Sequence, residues 1–366
     1  MSTFLKHTIF LLVSVAFLAS CKENKSTEST QEESVAVDST SQIITEVASF
    51  TGQQVTGVTL TADGRIFVNF PRWREGVKNS VVEIKADQSQ QSYPDEAWNA
   101  WEIGQPTQMD QFVGVQSVIA FENELYVIDT RSVKFQEVLD APRIYVFDLE
   151  SDELKKTYTL GTSSYFPDSY INDLRVDPIK NMIYLTDSGH AGLIVIDRES
   201  GNSRRILNEH PSTTAEQSYL TFDGKKWEGT INSDGIALDA VNNQLYYHAL
   251  TAYSLYSIPT DDLLTKSEKQ IDQSVTDLGT TAAPDGMILD ANGNLYFADL
   301  EHNKIQYRKP DGSIYTLVEG DKVRWADTFS IYNNELYYSN SRINEATGDI
   351  SNMTFTLNKT PLPTNN

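Results

Sequence analysis

The chain has 366 residues and carries 51 Asp and Glu against 29 Lys and Arg, a formal net charge of −22. An excess of that size repels nucleic acid and anionic lipid headgroups, so a basic binding groove is excluded and cations are the charged partners it favours. Its single cysteine, Cys21, excludes a disulfide framework and a cysteine metal site.

Residues 1–20 combine a positive start at Lys6 with an apolar run from Thr8 to Leu18, too short for a membrane span and of the length of a secretory signal. The run ends in Leu18-Ala19-Ser20-Cys21, which resembles a bacterial lipobox, in which the cysteine thiol takes a lipid. Residues 21–42 are rich in Ser, Thr, Glu and Gln without apolar periodicity, and read as a flexible tether. Together they imply an outer-membrane lipoprotein, facing the periplasm or the outside and touching the membrane only through lipid at Cys21.

Residues 43–360 read as one domain, with 361–366 as a disordered tail. Ile43 to Phe50 is a strand that precedes the first repeat and is expected to pair into the last one. Blade one follows from Thr51 to Asp87. The connection from Gln90 to Met109 carries Trp98 and Trp101, which are too apolar to lie loose, so it packs over the domain as a cover. Val115 to Ile119, Leu125 to Asp129 and Ile144 to Asp148 are strands. Ile171 to Leu207 forms a four-stranded antiparallel meander by its alternation and its turns. Residues 208–232, with Trp227, form a long loop and a second candidate cover. Met353 to Leu357 supplies a last outer strand, and the chain frays from Thr360.

The meander recurs. Its second-strand aromatic aligns with Phe67, Tyr126, Tyr184, Tyr246, Tyr296 and Tyr337, at spacings of 41 to 62 residues. A four-stranded sheet cannot bury both faces alone, so a repeat of this length made of strands predicts an all-β, six-bladed β-propeller with four-stranded antiparallel blades.

Innermost strands begin at the mouth of the central channel, so the residues that open them converge there. Asn172, Asp173, Asp234, Asp285 and Asp327, with Thr56 and Gln116, are expected to ring one opening. Carboxylates and an amide oxygen suit a hard cation such as calcium, and Asp before Gly equally suits a turn or a bond to the next blade's backbone. Trp325 and Phe329 lie close by for stacking. The second strands end in Asp129, Asp187, His248, Asp299 and Asn340, a repetition that predicts blade-to-blade hydrogen bonds with His248 as the exception. His190 and His302 follow second strands in loops. There is no G-x-S-x-G elbow, phosphate loop, H-E-x-x-H or Cys pair.

The phrases FVGVQSV, PRIYVFDLE, YINDLRVD, IYLTDSGHAGLIVID, SRRILNEHPST, SDGIALD, LYYHAL, LYSIPTDDL, PDGMILD, LYFADLEHN and WADTFS occur in this order. The set resembles the major royal jelly protein and yellow family, in its bacterial branch, over about residues 90–340. The resemblance implies a six-bladed propeller. Its members include secreted food proteins, proteins linked to dopachrome conversion and salivary binders of biogenic amines, and its bacterial members are described as lactonase-like or dopachrome-tautomerase-related. Gluconolactonase-type propellers also resemble this chain, and that likeness implies divalent-metal ligation by Asn172 and Asp234. Their first blade adds a Glu, where this chain has Val55-Thr56-Gly57.

The sequence therefore points to a monomeric, lipid-anchored propeller binding a small aromatic or cationic molecule at the channel mouth through Asn172, Asp173, Asp234, Asp285, Asp327, Trp325, Phe329 and His248. A metal-assisted lactone hydrolase, a dopachrome-type isomerase and a protein-interaction scaffold are the alternatives.

Overall fold

Asp177 shows how this sequence turns a blade. Its Oδ1 accepts the backbone N–H of Ile179 (2.9 Å) and Lys180 (3.0 Å), and Asn181 takes a left-handed φ of 55°, reversing the chain between strands Ile171–Asp177 and Met182–Asp187. Asp197 repeats the device on Ser200 (2.7 Å), with Gly201 at φ 76°, between strands Gly192–Asp197 and Ser203–Ile206. The four strands pair antiparallel in chain order, as the alternation required.

The computed structural model describes residues 36–37 and 43–364. The signal segment, Cys21 and nearly all of the tether lie outside the described residues. Within the tether, Ala36–Val37 forms a two-residue strand running parallel to Ile314–Glu319 of blade five.

Six blades form the ring. Their inner strands are Gly57–Leu60, Val115–Phe121, Ile171–Asp177, Ser233–Asp239, Met287–Leu289 and Ala326–Tyr332. The ring closes between blades six and one, where the Leu60 N–H donates to Ser330 Oγ (3.0 Å) and Gln54 Nε2 to the Ser341 carbonyl (2.9 Å). The all-β, six-bladed propeller predicted from the repeat is the fold.

Blade six joins both ends of the domain. Strand Thr45–Thr51 pairs antiparallel with Thr354–Pro361, which pairs with Glu335–Asn340. The N-terminal strand enters the last blade as expected, but as its outermost member. The C-terminal strand, expected outermost, lies one place further in with a partner on each side. For that reason it continues to Pro361, and Thr360 and Leu362 are buried where the chain was expected to fray.

The core lies in layers between neighbouring blades. Tyr126, Ile128 and Ile144 of blade two meet Leu174, Ile183 and Ile194 of blade three, and equivalent clusters fill the other junctions. Trp98 seals the junction of blades one and two, packing on Phe112, Tyr145 and Phe147 at 5.0–5.1 Å. Trp101 is buried with Val113 and Val133, so residues 90–109 cover a blade junction. Residues 208–232 are not a plain loop. They contain a hairpin of Tyr219–Phe222 and Lys225–Glu228, turned at Asp223-Gly224, where both residues take positive φ.

Candidate ligand-binding site

Four inner strands break register at their start, between Val115 and Ser117, Ile171 and Leu174, Ser233 and Ile236, and Ala326 and Phe329. A bulge adds a residue without a ladder partner and re-aims its side chain. The residues within these bulges include Gln116, Asn172, Asp234 and Asp327, all of which line a cavity of about 370 Å³ in the channel mouth. Asp285, just before its strand, joins them.

Glycine makes this convergence possible. A Cβ at Gly235 would lie 2.5 Å from the Asp285 carbonyl oxygen, and one at Gly286 would lie 2.5 Å from that of Asp327. Neither distance is tolerable, so the Asp-Gly pairs allow adjacent inner strands to touch. The Gly286 N–H donates to the Asp327 carbonyl (2.7 Å) and Thr186 Oγ1 to that of Asp234 (2.8 Å). The backbone-bridging use of these residues and their place at the channel mouth hold together, because the main chain bridges blades while the side chain faces the cavity.

A hydrogen-bonded chain crosses the site. Gln116 Nε2 donates to Asn172 Oδ1 (3.3 Å), and Asn172 Nδ2 donates to Ser188 Oγ (3.1 Å) and Asp234 Oδ2 (2.6 Å). Asp285 lines the cavity beside Asp234, and the Trp325 indole Nε1 donates to Asp285 Oδ2 (2.6 Å). Asn340 Oδ1 holds the Trp325 backbone N–H (3.1 Å). Asp327 Oδ1 accepts from Thr328 Oγ1 (3.3 Å), while its Oδ2 is buried with no hydrogen-bond partner.

The three carboxyl-bearing residues are 3 %, 6 % and 4 % exposed for Asp234, Asp285 and Asp327. Burial pushes all three well above the ordinary carboxyl range, and their mutual repulsion adds to it for Asp234 and Asp327. Asp285, whose anion the Trp325 hydrogen bond favours, is pushed up to about 7.

Two aromatic walls flank the carboxyls. On one side Phe135 stacks on Trp73 at 5.1 Å and meets Tyr170 at 5.7 Å. The Tyr170 hydroxyl accepts from Trp73 Nε1 (2.6 Å) and donates to Gln116 Oε1 (2.6 Å), while burial raises its pKa. On the other side Trp227 meets Trp325 edge-on at 5.1 Å, with Phe222 stacked behind at 5.4 Å. None of the residues lining the cavity is Lys, Arg or His.

The structure thus brings together Asn172, Asp234, Asp285, Asp327 and Trp325, and does not bring Asp173, Phe329 or His248 to the cavity. Asp173 turns below it, accepting from Ser117 Oγ (2.9 Å) and Arg175 Nη1 (2.8 Å). Phe329 lies after its bulge and faces the core between blades five and six. His248 bonds the Ala249 carbonyl (2.6 Å) and Thr281 (2.9 Å), and burial lowers its pKa to about 4, so it stays neutral. The other second-strand ends also differ from expectation. Asp129 accepts the N–H of Val113 (2.7 Å) and Gly114 (2.8 Å), and Asp187 that of Tyr170 (2.8 Å), so these bonds fix the start of the same blade.

The ring does not present a divalent-metal set. Asn172 directs its Nδ2 at Asp234, Thr56 Oγ1 accepts from Asn69 Nδ2 (3.0 Å) outside the cavity, and the Glu of gluconolactonase-type sites has no counterpart. Among the described residues no group of three or more His, Cys, Asp or Glu is arranged to hold a metal ion. The calcium expected from the residue types therefore lacks its ligands.

Trp73, Phe135, Tyr170, Ser188 and Trp227 were not singled out by the sequence as binding residues. The hairpin behind Trp227 had a signal in YLTFDGKKWE, alternating residues around Asp-Gly. Phe135, with φ 56° in a loop of non-glycine residues, had none.

Residues 116–353 match the family described as Major royal jelly protein, and the chain belongs to that family. Major royal jelly protein 1 of Apis mellifera is 22 % identical over 255 residues, 64 % of this chain and 57 % of that protein. Dopaminechrome tautomerase of Drosophila melanogaster is 23 % identical over 266 residues, 66 % of this chain and 58 % of that protein. The chain thus spans a little over half the length of these relatives. In structure it is similar to a luciferin-regenerating enzyme (TM-score 0.54, 12 % identity, 87 % of this chain and 95 % of that one). A gluconolactonase from Xanthomonas campestris matches with TM-score 0.52 at 13 % identity, over 90 % and 97 % of the two chains. At these identities the structures share the fold alone.

Because folding raises the proton affinity of the three carboxyls, the folded chain holds more protons than the unfolded one between the ordinary value of 3.8 and about 7. Stability from this cluster therefore falls as pH rises through that window. Asp285→Asn keeps an acceptor for Trp325 and removes the titrating group. It should melt close to the parent at pH 5 and several degrees above it at pH 8 by calorimetry. A gap that does not change with pH would contradict the assignment.

Proposed function

We propose that the protein binds a small aromatic cation in this cavity. The observation that carries the reading is the combination of buried carboxyl groups with two aromatic walls and no lining base. A cation placed among these carboxyls gains charge-assisted hydrogen bonds, and its ring packs on Trp73, Phe135, Trp227 and Trp325. A cavity of about 370 Å³ suits a ligand of one or two rings.

A second reading is a proton-transfer isomerase, in line with the dopaminechrome tautomerase among the relatives. It is supported by Asp234 and Asp285, two buried carboxyl groups in one cavity, of which Asp285 is pushed up to about 7. Such a pair can take a proton from one position of a conjugated ligand and return it at another. Turnover of dopaminechrome, lost in Asp285→Asn with ligand binding retained, would select this reading over simple binding. Metal-assisted lactone hydrolysis has no matching ligand set among the described residues.

The bacterial branch of the family, the lipid on Cys21, the outer-membrane location and the monomeric state are proposed from the sequence of residues 1–42 and the family resemblance. Among the described residues no helix is long and apolar enough to cross a membrane. Radiolabelled palmitate should enter the wild-type protein expressed in bacteria and be absent from Cys21→Ser; equal labelling would remove the anchor.

For the cavity, titration with tyramine or tryptamine should shift the tryptophan fluorescence and give calorimetric binding, and the carboxylate isosteres should bind at least about a hundredfold more weakly. Asp327→Asn and Asp234→Asn should each weaken amine binding by about tenfold or more, the scale of one charged hydrogen bond. Equal affinity for amine and carboxylate, or no binding of either, would overturn the reading.

A further inference from the structure

We infer that the cavity takes up its cation in exchange for protons: the carboxyl groups of Asp234, Asp285 and Asp327 are held in acid form while it is empty and release about one proton when the ligand enters. The inference rests on the cation-binding reading and adds what balances the charge when no cation is present.

Two observations lead to it independently. Asp234, Asp285 and Asp327 are buried in one cavity whose lining contains no Lys, Arg or His, so no fixed base there balances their charge if they ionise. Asp327 lines the same cavity, is 4 % exposed, and has an Oδ2 that makes no hydrogen bond. A buried anionic oxygen without a partner is costly, whereas a protonated one is tolerated until a cation comes to it.

The charged groups around the cluster supply no alternative counter-charge. Below it, the Arg175 guanidinium is engaged by Asp173 Oδ2 (2.8 Å), the Leu174 carbonyl (2.5 Å) and the Met287 carbonyl (2.6 Å). Asp129 is held by the backbone N–H groups of Val113 and Gly114, and Asp168 at the rim is paired with His190 (3.1 Å). Glu137 at the rim adds a further acid, and Tyr170, Asn172 and Trp325 are neutral. Burial raises the proton affinity of all three carboxyls, which keeps the empty cavity protonated near neutrality.

The sign follows. Protons are bound in the free protein and lost in the complex, so the amine binds more tightly as pH rises, by about tenfold per pH unit for one proton between about pH 6 and 7. The test is isothermal titration of the full chain with tyramine at pH 7 in phosphate and in Tris, which take up a released proton with small and large heats. The expected result is an apparent enthalpy that differs between the buffers by the heat of about one protonation, with no such difference for Asp285→Asn/Asp327→Asn wherever binding remains measurable. Binding with the same enthalpy in both buffers overturns the exchange and leaves the cation reading standing. No binding in either buffer, with no change in tryptophan fluorescence, overturns the cation reading and the exchange with it.

Discussion

Neighbouring inner strands touch at Gly235 and Gly286, where no Cβ fits, and this contact governs what the channel mouth can be. Main-chain groups at the contact are used up in blade-to-blade bonds, such as Gly286 N–H to Asp327 carbonyl. The side chains of Asp234, Asp285 and Asp327 are left to face the axis. Closeness also removes water, so carboxyls that would ionise freely on the surface are buried beside one another. A larger residue at either glycine would separate the blades and disperse the cluster together.

Such a cluster works against folding. Three buried acids without a lining base lower stability whenever solution conditions favour their ionisation, and the ring carries this through the layered cores at every blade junction and the strand of the N-terminus bound into blade six. Groups held in an unfavourable state by a rigid scaffold are a recurrent mark of functional sites. The rest of the chain's negative charge lies largely at the surface, where it is screened and steers cations toward the molecule.

Much of this was legible in the sequence. The recurring second-strand aromatics gave the blade number because each must fill the same space between sheets, and the acidic strand heads gave the ring because inner strands converge on one axis. Bulges decided the rest. Asn172 and Asp173 are adjacent, yet one faces the cavity and the other Arg175, and no alternation rule separates them across a break in register. Phe329 fell on the core side for the same reason. The aromatic walls were hidden differently: Trp73, Phe135, Tyr170 and Trp227 come from connections of unequal length that share no repeat, and only the Asp-Gly turn before Trp227 announced itself.

The central claim is that the ligand-free cavity holds protonated carboxyl groups at neutral pH. Infrared spectroscopy reads this directly, because the C=O stretch of a carboxylic acid stands apart from the carboxylate bands. At pH 7 the wild-type protein should show such a band that is resistant to hydrogen exchange, reduced in Asp234→Asn and again in Asp327→Asn, and lost as pH rises further. A spectrum at pH 7 with no protonated carboxyl, identical in these variants apart from the lost carboxylate, would contradict the account.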